Sequence, residues 1–298
     1  MLSIGDIIRA KREQLGISQE RLADGICSVS TLSRIENGHH SSGRATYEAL
    51  MECLGIDSHL FPSFKSEHEV EAFRLKHKVV REIFNGNYDD VEKLLDRYAK
   101  IPNLERVHKQ YIQYIRAILF RQKGGSNDEM LIKLENVAKM SMKDYTASSI
   151  LYQVLFIDEI HILNSLAIAY TKVNRVEDGI ELLYALKDYI ERKVVDDDRI
   201  SPLYTTILYN LTKFIGLQGK HKEVINICDI GIKRCIDYGA YLSFAGLLLN
   251  KGYALVMLSD KKEARKYLQE SYYINQARGE DEECLLIKQF TNEHKIQL

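Results

Sequence analysis

The chain has 298 residues, of which 45% are hydrophobic and 28% are charged, and its formal net charge is −1. This composition is ordinary for a globular protein, and the balanced charge by itself points to no polyanionic partner. No apolar run approaches the roughly 20 residues that span a bilayer. Five cysteines without a C-x-x-C pair indicate neither a disulfide framework nor a zinc site. We therefore expect a cytoplasmic protein without a metal or a cofactor.

The distribution of helix breakers predicts an all-α chain in two blocks. Only three prolines occur, and most of the 17 glycines stand singly between long periodic segments. Residues 1–64 read as short helical segments with frequent stops, and residues 65–298 as long helical segments that arrive in pairs. The sequence therefore predicts a small N-terminal head domain followed by a helical repeat domain.

The head contains the spacing of a helix-turn-helix. "SQERLAD" predicts a first helix, "GIC" a turn and "SVSTLSRIENG" a second helix, which Ser28 or Ser30 opens as a cap. Leu32 and Ile35 are the only large residues expected to face inward. Short hydroxyl side chains reach base edges or phosphates, and arginine pairs with guanine through two hydrogen bonds. The residues expected to face DNA are Ser28, Val29, Ser30, Ser33 and Arg34.

The segments "RAKREQLGISQERLA" and "STLSRIENG" resemble the Cro/repressor-type helix-turn-helix of phage and Firmicute regulators. The resemblance implies an ion pair between Arg12 and Glu36, which stabilises the head, and a phosphate contact for Gln19. It also implies that Val29, Ser30 and Arg34 read bases.

The charge of the head favours two copies on one DNA duplex. Residues 1–64 carry six Lys and Arg against eight Asp and Glu, so a single head should bind phosphates weakly. A homodimer on a pseudo-palindromic operator would compensate. The alternative, a helix-turn-helix retained only for protein contacts, stays open.

Three segments of the second block superpose without gaps, each carrying an asparagine followed 13 positions later by a glutamate. The pairs are Asn164 and Glu177, Asn210 and Glu223, and Asn250 and Glu263. Spacings of 46 and 40 residues between the asparagines exceed a minimal tetratricopeptide unit of about 34 residues. With less regular pairs before them, these segments predict a right-handed tetratricopeptide-like solenoid of about five pairs. The terminal helix "EDEECLLIKQFTNEHK" should cap it.

The repeated asparagines suggest a ligand groove, because the first helices of such repeats line a concave surface. An asparagine side chain carries a donor and an acceptor, so it can bracket one peptide unit of an extended chain. The simpler alternative is that these amides only satisfy backbone groups between helices. The residues expected to bind a peptide are Gln113, Arg116, Asn164, Asn210, Lys213, Phe214 and Asn250.

A repressor-like head on tetratricopeptide-like pairs resembles the PlcR-type regulators of the Rgg, Rap, NprR, PlcR and PrgX group. These are cytoplasmic Firmicute receptors for short imported signalling peptides. The resemblance implies a transcription regulator in quorum sensing that dimerises through its repeats. It also implies that Asn164 and Asn210 contact the main chain of the peptide.

Three other classes of function compete with this interpretation. No Walker loop, dinucleotide-binding glycine motif, H-E-x-x-H or nucleophile constellation occurs, so we expect no enzyme and no catalytic residue. A tetratricopeptide adaptor for a protein partner, as in the Rap group, is the main rival, although that group lacks the head. A regulator of the same build that answers to a protein, or to no ligand, is the second rival.

Overall fold

The computed structural model describes residues 4–39, 44–54, 67–153, 155, 157–193 and 200–298. Within these ranges every regular element is helical, which confirms the all-α prediction. The chain divides into two compact units, Met1–Lys78 and Val79–Leu298. The boundary expected between residues 64 and 65 lies outside the described residues. No helix in the described ranges is long and apolar enough to cross a membrane.

The first unit begins with four short helices whose ends follow local sequence signals. They are α1 (Ile4–Gln14), α2 (Gln19–Ala23), α3 (Val29–Glu36) and α4 (Arg44–Cys53). Gly16 follows α1 with a φ of +65°, a conformation that suits glycine. Ser18 caps α2, and Ser28 caps α3 by accepting a hydrogen bond of 3.1 Å from the backbone N–H of Thr31. Ser28, rather than Ser30, therefore opens α3.

The core of the head is small and depends on one close helix crossing. Its buried residues are Ile8, Leu22, Ala23, Leu32, Ile35, Leu50, Met51 and Leu54. Helix α1 crosses α3 so closely that a Cβ added at Gly5 would lie 2.0 Å from the carbonyl oxygen of Ile35. Only glycine fits there, because any side chain would displace backbone atoms of α3.

The remaining helices, except the four-residue α9, are long, and from α7 onward they are mostly joined as pairs. They are α5 (Glu67–Phe84), which spans the boundary of the two units, α6 (Tyr88–Ala99), α7 (Arg106–Gln122), α8 (Asn127–Lys139), α9 (Ala147–Ile150), α10 (Ile157–Lys172), α11 (Val176–Lys193), α12 (Ser201–Leu217), α13 (His221–Tyr238), α14 (Phe244–Met257), α15 (Lys261–Arg278) and α16 (Asp281–Glu293). Helices α7 and α8, α10 and α11, α12 and α13, and α14 and α15 pack as pairs, and each pair packs on the next.

The matched register of the three best repeats is present in the structure. Glu177, Glu223 and Glu263 each lie in the first turn of the second helix of a pair, where a negative charge suits the helix dipole. A Cβ added at Gly179 would lie 2.5 Å from the carbonyl oxygen of Ala167, so α10 and α11 meet backbone to backbone there. The short distance between these two helices therefore requires a glycine at position 179.

Candidate functional site

A buried polar network ties together three helices of the head. Arg12 on α1 donates two hydrogen bonds to the Glu36 carboxylate on α3, at 2.6 and 2.9 Å, and a third to the carbonyl oxygen of Ile17. Gln19 on α2 donates from Nε2 to Glu36 at 2.7 Å. Burial alone would raise the pKa of Glu36, but the hydrogen bonds from Arg12 and Gln19 outweigh it and lower that pKa. The network fixes the angle between the helices of the head.

Gln19 takes part in this network as well as being a predicted phosphate contact. An amide nitrogen carries two hydrogens, and Glu36 accepts one of them. The second hydrogen is left for another acceptor, so the two roles are compatible in the geometry of α2.

The outer face of α3 is polar and accessible. Leu32 and Ile35 are buried, as the sequence predicted. Ser28, Val29, Ser30 and Arg34 are exposed and Ser33 is half-buried. The hydroxyl of Ser28 also lies within hydrogen-bond distance of Ser30 Oγ and Thr31 Oγ1, at 2.9 and 2.8 Å. Helix α3 therefore presents one arginine, one valine and a row of hydroxyl groups.

The second unit contains a cleft of about 950 Å³. Its walls come from α10, α12, α14 and α16, together with the ends of α13 and α15. Aliphatic and aromatic side chains form much of the lining, including Leu249, Met257, Leu286 and Phe290. Such a cleft has the mixture of apolar surface and few polar groups that is typical of ligand sites.

Two of the predicted asparagines meet in this cleft. Asn210 on α12 donates from Nδ2 to Oδ1 of Asn164 on α10 at 3.1 Å, and the two residues are only 8% and 6% exposed. Both line the cleft. Within the described residues, Asn164 Nδ2 and Asn210 Oδ1 make no further hydrogen bond. The pair thus holds two helices together and still keeps one donor group and one acceptor.

The third asparagine, Asn250, also lines the cleft, but its amide nitrogen is engaged with α12. It donates to Thr212 Oγ1 at 2.9 Å and to the carbonyl oxygen of Tyr209 at 3.2 Å. The amides of the three repeats therefore bridge neighbouring first helices, but only Asn250 donates to a backbone group, which the simpler alternative expected of all three. At Asn164 and Asn210 this bridging leaves hydrogen-bonding capacity in a cavity.

The other predicted groove residues divide into two groups. Lys213 is exposed and lines the cleft one turn after Asn210. Phe214 is buried in the core of the unit, while Gln113 and Arg116 lie on α7, outside this cleft. Arg116 instead donates to Asp96 at 2.8 Å.

The sequence did not reveal the wall that α16 contributes, since that helix looked like a cap alone. Cys284, Ile287 and Thr291 are buried on one face of α16. Glu283, Leu286 and Phe290 follow the same spacing one residue earlier and line the cleft. A helical wheel of "EDEECLLIKQF" could have indicated this second face.

Two sequence families match the chain. Residues 8–61 match a helix-turn-helix family, and residues 148–275 match the C-terminal domain of the RNPP family. The second match spans α10 to α14 and most of α15, which include three walls of the cleft. No curated protein sequence matches the chain.

Solved structures share the fold at low sequence identity. PlcR of Bacillus thuringiensis, in complex with the peptide PapR7 and DNA, is 15% identical with a TM-score of 0.70, and 99% of each chain is covered. The pheromone receptor Rgg2 of Streptococcus dysgalactiae is 20% identical with a TM-score of 0.62, covering 98% of this chain and 99% of the other. ComR of S. thermophilus, with DNA and its signalling peptide ComS, is 14% identical with a TM-score of 0.59, covering 98% and 100%.

These structures place the head and the paired helices in one known architecture. The two family matches cover both the helix-turn-helix and most of the cleft, and together they account for more than half of the sequence. Residues 148–275 therefore form a C-terminal domain of the RNPP type.

Proposed function

We propose that this protein is a DNA-binding transcription regulator whose operator affinity is set by a short peptide bound in the cleft. The observation that carries the proposal is that one chain joins an exposed, polar α3 to a cleft containing the Asn164–Asn210 pair. Similar folds occur in PlcR with PapR7 and DNA and in ComR with ComS and DNA, which supports both activities together.

The proposed DNA contacts lie on and before α3. Arg34 reads a base edge, Val29 and Ser30 lie at the start of the helix against the major groove, and Ser28, Ser33 and Gln19 contact phosphate or base edges. The rigid Arg12–Glu36 network supports this role, because it holds α1 and α3 at a fixed angle.

Two copies of the chain bind one operator in this proposal. The head has few cations to neutralise phosphates, so a second head on an adjacent half-site supplies the missing affinity. Sedimentation of the protein with a labelled duplex should therefore give two chains per operator. A complex with one chain per duplex at saturation would contradict this part of the proposal.

The proposed peptide site uses Asn164, Asn210, Lys213 and Asn250. The free donor and acceptor of the asparagine pair suit one peptide unit of an extended ligand, and the apolar lining suits its side chains. Quorum sensing follows from this chemistry if the peptide is secreted and re-imported. A ligand acts as a switch only through its differential affinity for two states, typically about 1 to 3 kcal/mol.

The test is a fluorescence anisotropy titration of the protein against DNA from upstream of its own gene, at fixed salt. Each titration is run with and without the low-mass peptide fraction of spent medium from the host. We expect the operator affinity to change by about 5- to 150-fold, which is the usual range of allosteric coupling. Tight DNA binding with no change would leave a regulator whose cleft serves a protein partner.

Two arginine variants separate base reading from loss of charge. Arg34→Ala should weaken specific binding by about 1 to 3 kcal/mol and relax sequence preference. Arg9→Ala removes the same charge from α1, where Arg9 pairs with Glu13, and should leave sequence preference unchanged. Equal loss of preference in both variants would count against α3 as the reading helix.

A further inference from the structure

The wall that α16 adds to the cleft carries a carboxylate beside aromatic rings. Glu283 lines the cleft together with Tyr209, Tyr253 and Phe290. The rings of Tyr253 and Phe290 lie 4.0 Å apart between centroids, which joins α14 to α16. Tyr209 reaches the same region from α12, since a Cβ added at Gly246 would lie 2.5 Å from the Tyr209 ring.

Negatively charged carboxylates lie near the two tyrosine hydroxyls of this region. Burial raises the pKa of Tyr209, and the charge of Glu283 raises it further, so the carboxylate lies near that phenol. Burial likewise raises the pKa of Tyr253 to about 12, with the charges of Glu293 and Tyr209 contributing. The nearby cation Arg278 lines the cleft too, but it faces Glu280 at 3.4 Å.

Within the described residues Glu283 makes no ion pair or hydrogen bond, unlike Arg278 and Glu280, which pair with each other. Asp281 and Glu282 share the first turn of α16, where all three acids suit the helix dipole. Of these three, Glu283 alone lines the cleft. Its negative charge therefore faces any ligand in the cleft, a role beyond its favourable interaction with the helix dipole.

We propose that the α16 end of the cleft is a subsite for a cationic group of the peptide, bound by the Glu283 carboxylate against the rings of Tyr209 and Tyr253. A carboxylate attracts an ammonium or guanidinium group, and aromatic faces attract the same groups through their quadrupoles. This inference rests on the proposed function, because it needs a peptide in the cleft. The cation is either the free amino terminus or a Lys or Arg side chain.

The subsite orients the ligand. A free amino terminus at α16 sends the chain across α14 and α12 toward the Asn164–Asn210 pair, past Lys213. Lys213 also lines the cleft, carries the opposite charge and makes no ion pair or hydrogen bond with the described residues. A peptide bound in the reverse direction would place its carboxylate against Glu283, where like charges repel.

The test uses the full chain and three synthetic pools of hexapeptides, built from Ala, Val, Leu, Ile, Phe and Gly with amidated C-termini. One pool has free amino termini, one is N-acetylated, and one is N-acetylated with a single Lys at varied positions. Retention by the protein in ultrafiltration is quantified by mass spectrometry. Glu283→Gln is compared with Glu282→Gln, which removes the same charge from the same helical turn.

We expect the parent protein and Glu282→Gln to retain the free-amino pool about fivefold better than the acetylated pool, the scale of a partly exposed charge pair. In Glu283→Gln that ratio should fall to about 1. Recovery of retention in the Lys pool would show that a side chain serves as well as the terminus, and no recovery would assign the subsite to the terminus.

Two results would contradict the proposal, one for the cation subsite alone and one for the whole peptide function. If peptides are retained but the ratio is the same in the parent and in Glu283→Gln, the subsite is absent and the peptide cleft survives. If no pool is retained by any of the three proteins, the peptide function itself fails.

Discussion

The helices of the head and those of the repeat unit are joined by the same two kinds of contact. One is a glycine packed against a backbone carbonyl oxygen, and the other is a hydrogen bond between buried polar side chains. In the head these are Gly5 on Ile35 and the Arg12–Glu36 pair, and in the repeat unit the glycine is Gly179 on Ala167. The bridges differ in how completely they are satisfied. Glu36 accepts three hydrogen bonds from Arg12 and Gln19, so its network is closed.

The bridge between Asn164 and Asn210 consists of one hydrogen bond, and it is open toward a cavity. A closed buried network makes a domain rigid, and a rigid head suits recognition of a fixed surface such as a DNA groove. An open network keeps donors and acceptors for a ligand at some cost in stability. The difference suggests that recognition by the head is preformed, while the repeat unit is completed by what it binds.

Breaking the closed bridge should have the largest effect. Arg12→Leu leaves the Glu36 carboxylate buried without its cation, and such losses typically cost about 3 kcal/mol. We expect amides of α1 to α3 to lose protection in hydrogen exchange measured by mass spectrometry, with no change in the repeat unit.

Arg9→Leu is the matched control for this experiment. Arg9 also pairs with a glutamate, but both side chains of the Arg9–Glu13 pair are more than half exposed, so its loss should cost less than about 1 kcal/mol. If both variants lose protection equally, burial of the Arg12–Glu36 pair is not what matters.

The second-largest loss of stability is expected from a substitution at the Gly179–Ala167 contact of the repeat unit. Gly179→Ala places a methyl group 2.5 Å from the Ala167 carbonyl oxygen, and the helices must separate at a cost of about 1 to 3 kcal/mol. In Gly216→Ala the new Cβ meets only Val224 Cγ2, at 3.6 Å, so the better helix propensity of alanine should stabilise the protein slightly. Urea denaturation measures both, and an equal loss of stability in the two variants would contradict the argument.

The sequence predicted those features of the fold that depend on spacing. Helix periodicity, caps and the repeated asparagine register identified the helix-turn-helix and the paired helices, because these signals are local. The Arg12–Glu36 pair came from a family resemblance, and the structure places it where the resemblance implied.

The sequence predicted only some of the residues that line the cleft, namely Asn164, Asn210, Lys213 and Asn250. Phe214 lies four positions after Asn210 and was expected to bind the peptide, but it belongs to the core between helices. Glu283 and Phe290 reach the cleft because the chain returns to it as α16, after one intervening helix, α15. Such long-range contacts depend on how successive helix pairs pack on each other, which no local pattern in the sequence encodes.

Removing the Asn164–Asn210 hydrogen bond should have a smaller effect on the stability of the protein than on its binding of peptide. Asn210→Ala removes one hydrogen bond between neutral groups, worth about 1 kcal/mol. Asn164→Ala should cost about the same, and the double variant less than the sum, because the two residues share that bond. Urea denaturation gives the stabilities, and retention of the free-amino peptide pool gives the binding. Full additivity in stability would show that the pair does not act as one bridge.

The smallest effect is expected on the pH dependence of the stability of the head. The pKa of Glu36 is lowered below its ordinary value of 4.5, because the hydrogen bonds from Arg12 and Gln19 outweigh the effect of burial. The folded head therefore binds fewer protons than the unfolded chain. This carboxylate contributes stability above the ordinary pKa and loses that contribution as the pH falls through the lowered value.

Hydrogen exchange of the head at a series of pH values, corrected for the intrinsic rate, measures this contribution. In Glu36→Gln the loss of protection on acidification below about pH 4.5 should be shallower than in the parent protein. Glu20→Gln, an exposed acid in the first turn of α2, should leave the slope unchanged. The amides of Asn164 and Asn210 do not titrate, so their bridge adds no slope in the repeat unit. A parent head and a Glu36→Gln head with the same slope would mean that the closed network is not held by charge.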